Sequence, residues 1–129
     1  MSKEYVDIFV YGTLQRGLPL HGYLAGAEFL GRAMTTPDYT LTECGIPFMY
    51  QNGRTAIRGE VYRVPVGPML HALDRVEGAY TRTLIELAHG PVATAQAYIM
   101  EGSPDLSSAW ETMLPGGDYR VAYDADLIR

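Results

Sequence analysis

The chain has 129 residues, 47% of them hydrophobic, and 10 Lys and Arg against 15 Asp and Glu give a net charge of -5. This composition supplies one core, excludes intrinsic disorder, and offers no basic block for nucleic acid or an anionic membrane. One cysteine, Cys44, excludes an internal disulfide, the three scattered histidines have no zinc-ligand spacing, and no apolar run approaches the roughly 20 residues that span a bilayer.

At the N-terminus Glu4 and Asp7 interrupt a short apolar stretch, so it does not read as a signal peptide. With the single cysteine, this points to a reducing, cytoplasmic setting. Residues 5–11 alternate Val6, Ile8 and Val10 with Asp7, Phe9 and Tyr11, which predicts a strand ending at Gly12. A Gly- and Pro-containing loop follows over 12–19, then a short helical turn over 20–26. Strands are predicted over 27–35 and 39–42, broken by Thr36-Pro37-Asp38. A short strand over 47–51 runs into Asn52-Gly53, a hairpin signal, and 58–64 is the returning strand.

Residues 68–76 form the clearest helix: Met69, Leu70, Leu73 and Val76 share one apolar face, and Gly78 stands where a C-terminal cap is expected. Two more strands follow over 83–87 and 94–100, with Gly90-Pro91 between them. Residues 106–114 read as a short helix ending at Pro115-Gly116-Gly117, and the tail from Tyr119 has no clear pattern. The sum is one domain over 1–129 of α+β class: a small mixed β-barrel with one or two short helices. Ten tyrosines against three phenylalanines is a skewed ratio. A tyrosine hydroxyl needs a partner when buried.

Two segments are candidates for chemistry. At Val10-Tyr11-Gly12-Thr13-Leu14 a strand ends at a glycine and turns sharply, which can aim several main-chain N–H groups into one concavity suited to a carboxylate, a phosphate or an oxyanion. The same residues also read as an ordinary turn, and no P-loop Gly-Lys-Ser/Thr follows. In Leu73-Asp74-Arg75-Val76-Glu77-Gly78, Asp74 and Glu77 lie on neighbouring positions of one helix face. The helix dipole, partial burial or Asp74 would each raise the pKa of Glu77 toward that of a general base and acid. The alternative is a solvated helix end with Asp74 paired to Arg75 or Arg82. His21 is the most interesting histidine, because it follows the Gly12 loop. Cys44 has no basic neighbour, and no serine sits in a Gly-x-Ser-x-Gly elbow.

In order along the chain, these pieces resemble the γ-glutamyl cyclotransferase-like family. Phe9-Val10-Tyr11-Gly12-Thr13-Leu14 is similar to its opening strand and substrate loop, followed by His21. Gly59-Glu60-Val61-Tyr62 is similar to its Gly-Glu-aliphatic-Tyr strand. Leu73-Asp74, Glu77-Gly78, Tyr80 and Arg82 resemble its Leu-Asp-x-x-Glu-Gly…Tyr-x-Arg stretch, with one residue between Gly78 and Tyr80 where the family is usually longer. Gly117-Asp118-Tyr119-Arg120 resembles a late Gly-Asp-aromatic motif, with Tyr119 where Trp is frequent.

The resemblance implies a cavity at one mouth of the barrel and an enzyme that closes 5-oxoproline from a γ-glutamyl amine or peptide, with no metal and no cofactor. It implies Glu77 as general base and acid. It also implies Tyr11, Gly12, Thr13, Leu14 and Tyr119 as substrate contacts, with Asp74 structural. The implied partner is a small γ-glutamyl compound: a free dipeptide, a γ-glutamyl-lysine product or a γ-glutamylated biosynthetic intermediate. The rival reading keeps the cavity without turnover, as a small-ligand binding protein of the same fold. Oligomeric state is not specified by the sequence.

Overall fold

β1 (Tyr5–Val10) is the strand on which the architecture turns. In this computed structural model, which describes residues 4–104, 106 and 111–128 (125–128 as backbone), β1 lies antiparallel to β5 (Arg58–Pro65), with Val10 opposite Glu60. Its other edge meets β7 (Thr94–Ile99) in parallel, through Ile8 and Gln96. With β2 (Glu28–Thr35) and β6 (Thr81–His89) these strands close a five-stranded mixed barrel in the order β1-β5-β2-β6-β7. The expected small mixed barrel with one or two short helices is the fold of this chain, and the described residues carry two α-helices.

The run Ile8–Tyr11 is apolar on both sides because both sides are covered. Phe9 and Tyr11 belong to the cluster with Val61, Ile85 and Ala97. Ile8 and Val10 pack instead with Leu70 and Leu73 of α1 (Pro68–Val76). The helix is predicted to the residue, but its cap is not. Gly78 does not take a left-handed cap. Glu77 is the C-cap, donating its N–H to Leu73 O and accepting from Tyr80 N–H.

The predicted Asn52-Gly53 hairpin is not formed. β4 (Pro47–Thr55) runs through those residues and pairs with β3 (Tyr39–Glu43), which pairs in turn with β8 (Thr112–Met113) in a separate three-stranded sheet. β5 is therefore a barrel strand and not the return of a hairpin. The irregularity lies between Tyr39 opposite Thr55 and Thr40 opposite Tyr50, where residues 51–54 have no partner across the ladder. A Cβ on Gly53 would stand 2.1 Å from Thr40 Oγ1 and 2.3 Å from Tyr39 O, so glycine serves a close approach here, not a turn. The chain then crosses to the barrel through Ile57, which is buried and exchanges hydrogen bonds with Thr35.

Of the helix expected over 106–114, residues 107–110 lie outside the described residues, and Thr112–Met113 is strand β8. The patternless tail forms α2 (Tyr119–Ile128). Among the described residues no helix is long and apolar enough to cross a membrane.

Candidate active site

Where β1 ends, Gly12 lets the chain turn beneath β4. A Cβ at Gly12 would come within 2.4 Å of Pro47 Cγ, and a proline ring has little freedom to yield. The loop that follows is tied down through its carbonyls. Gly12 O accepts from Gln15 N–H, Thr13 O from Leu20 N–H, and Leu14 O from His21 Nδ1 at 2.9 Å. No hydrogen bond among the described residues uses the N–H of Gly12, Thr13 or Leu14. His21 thus braces this loop through its imidazole.

These three residues line a cavity of about 220 Å³ together with Glu77, Val76 and Tyr80. Ile46 and Pro47, before and at the start of β4, supply its opposite wall, and Tyr11 and Tyr98 are also among its lining residues. Glu77 reaches the cavity from the end of α1. Burial raises its carboxyl pKa. Asp74, on the same helix, is engaged elsewhere. It pairs with Arg82 at 3.0 and 3.3 Å and accepts from the Tyr98 hydroxyl at 2.7 Å. Arg82 in turn donates to Gln96 Oε1.

The cavity phenols are all committed as donors. Tyr11 donates to Tyr98 O, Tyr80 to Pro47 O at 2.6 Å, and Tyr98 to Asp74. Burial, with the charge of Glu77 adding to it, pushes the pKa values of Tyr11 and Tyr80 up. For Tyr98, burial acts first and the hydrogen bond to Asp74 second.

Five of the six predicted site residues, Tyr11, Gly12, Thr13, Leu14 and Glu77, therefore meet at one cavity. Tyr119 is not among the lining residues. It is buried in the barrel cluster, and its hydroxyl donates to Gly45 O at 3.3 Å, next to the wall at Ile46. Pro47, Tyr98 and Ile46 escape sequence reasoning, since all three lie far along the chain from both Gly12 and Glu77. Tyr80, part of a motif in the sequence, is one of the cavity's walls. No group of His, Cys, Asp and Glu among the described residues has metal-holding geometry.

The family model for γ-glutamyl cyclotransferase, AIG2-like proteins matches residues 8–121. The chain belongs to this family. A relative from Vibrio cholerae is 34% identical over 114 residues, covering 87% of this chain and 93% of its own. γ-Glutamylaminecyclotransferase B of Danio rerio is 32% identical over 146 residues, covering 95% and 76%. An AIG2-like protein of Mus musculus, solved by crystallography, superposes with a TM-score of 0.72 at 29% identity, covering 90% of this chain and 88% of its own. The expectation of an enzyme of the γ-glutamyl cyclotransferase type is met at the level of the family.

Proposed function

We propose that this chain converts a γ-glutamyl amine or peptide to 5-oxoproline and a free amine, with Glu77 as general base and then general acid. The observation that carries the reading is one cavity shared by a carboxyl of raised pKa and a loop whose three N–H donors no described residue uses. In the reaction the substrate's α-nitrogen attacks its own side-chain carbonyl carbon. The ring C–N bond forms, the amide C–N bond breaks, and the proton lost by the attacking nitrogen returns to the leaving nitrogen through Glu77.

Attack within one molecule needs no second reactant, so holding the chain in a near-attack conformer supplies much of the rate. The N–H groups of Gly12, Thr13 and Leu14 suit the substrate carboxylate or the tetrahedral oxygen. A cavity of about 220 Å³ is smaller than the ~300–1,000 Å³ typical of drug-sized ligands, which favours enclosing the γ-glutamyl head and leaving the amine at the mouth. Tyr119 serves the site from behind, by holding Gly45. The lone, exposed Cys44 suits a reducing, cytoplasmic setting.

The test is 5-oxoproline release from a panel of γ-glutamyl amines and dipeptides. Glu77→Gln keeps the fold and ligand binding and loses release by about 10²-fold or more. Unchanged turnover in that variant would remove Glu77 from the mechanism. Binding without turnover across the whole panel would establish the non-catalytic reading instead.

A further inference from the structure

A second cavity, of about 530 Å³, opens over β2 and β5 and shares no lining residue with the one that holds Glu77. Four arginines, Arg16, Arg32, Arg58 and Arg120, line it against two carboxylates, Glu60 and Asp118, in a chain whose net charge is -5. Both carboxylates already have donors. Glu60 Oε1 accepts from Arg16 N–H at 2.8 Å and the Tyr62 hydroxyl at 3.0 Å, and Arg120 stands 3.7 Å from Oε2. Asp118 accepts from Arg120 N–H at 3.0 Å. Arg16 lies over the Phe29 ring at 4.4 Å, and Arg120 also donates to Arg16 O at 2.6 Å.

Arg32 and Arg58 remain. Neither guanidinium has a salt bridge or hydrogen bond among the described residues. In the β2–β5 ladder Arg32 faces Glu60 and Arg58 faces Met34, which places both arginines on one face of the sheet, one pleat apart. A separate observation points the same way. Gln15 is 4% exposed, lines this cavity, and its Nε2 has no partner among the described residues. A buried amide N–H without an acceptor is unfavourable, and an acceptor atom in the cavity would relieve it.

Two guanidinium forks and an amide donor are the complement of an oxyanion. The volume falls within the ~300–1,000 Å³ of small organic ligands and exceeds what an inorganic ion fills. We propose that this cavity is a second ligand site, taking a small organic carboxylate or phosphate ester through Arg32, Arg58 and the Gln15 amide. It is distinct from the Glu77 cavity, whose lining holds no arginine.

The test is calorimetric titration of the whole protein with succinate and, separately, with glycerol phosphate. At least one binds saturably, and whichever binds tighter identifies the source of the oxyanion. Arg32→Gln/Arg58→Gln weakens binding about tenfold or more, and Glu77→Gln leaves it unchanged. Both arginines are exposed, so the double variant should fold. The Gln15 side-chain amide signal, followed by NMR in the unaltered protein, gives a reading free of any variant and should shift as the ligand is added. Absence of saturable binding of either probe at millimolar concentration, binding indifferent to the two arginines, loss of binding in Glu77→Gln, or an unmoved Gln15 signal would each overturn the proposal.

Discussion

Glu77 has no salt-bridge partner among the described residues, and burial is what raises its carboxyl pKa. The folded protein therefore holds a proton there at a pH where the unfolded chain has released it. Stability from this group falls as pH rises from the ordinary glutamate value through the raised one. Glu77→Gln removes that decline, so the variant gains stability over the parent at pH 7 and progressively less toward pH 4. Urea unfolding at the two pH values measures it, and an equal effect at both would count against burial as the cause. On the proposed reaction the same shift carries into the kinetics: kcat/KM should rise along an acid limb whose apparent pKa lies above roughly 4.3. The residue was legible in the sequence as a carboxylate at a helix end. Its burial was one of three causes the sequence left open, because Ile46 and Pro47, which line the cavity with it, stand some thirty residues earlier in the chain.

At the scale of elements, α1 is pinned to the barrel by Asp74, which joins Arg82 of β6 and Tyr98 of β7 three residues before Glu77. Asp74→Asn weakens the paired bonds to Arg82 and should cost about 1–2 kcal/mol, discounted for the partial exposure of both side chains. It should lower kcat/KM by loosening the helix end while leaving the acid limb where it was. A shifted limb would show that Asp74 tunes Glu77 as well as placing it. The helix itself followed from its 3.6-residue apolar spacing, and β1 from its β-branched run. The misreading at Asn52-Gly53 has a local cause. A close approach of two backbones and a tight turn both demand a residue without a side chain, and only the partner strand tells them apart.

For the whole molecule, the barrel and the three-stranded sheet share the larger core cluster, where Leu41 and Met49 join Phe9 and Val61, and main-chain bonds such as Met100 N–H to Met49 O link them. Such long-range pairing leaves no periodic trace, so the barrel class could be read from many short strands while its strand order could not. Phe9 is fully buried at the centre of the larger cluster. Phe9→Ala should cost about 3–5 kcal/mol, a large part of the ~5–15 kcal/mol total expected of a domain. Denaturant midpoints check this, and a loss below 1 kcal/mol would mean that the barrel interior collapses around the gap.

The hydroxyls of Tyr11, Tyr80 and Tyr98 also bear on timing. Each already gives its hydrogen to a fixed acceptor, and burial keeps it there at neutral pH. On the proposed reaction this leaves the Glu77 carboxyl, among the described lining residues, as the acid that ionises near neutral pH. The carboxyl is then base and acid in turn, and the proton it takes as the ring closes is the one that leaves with the amine.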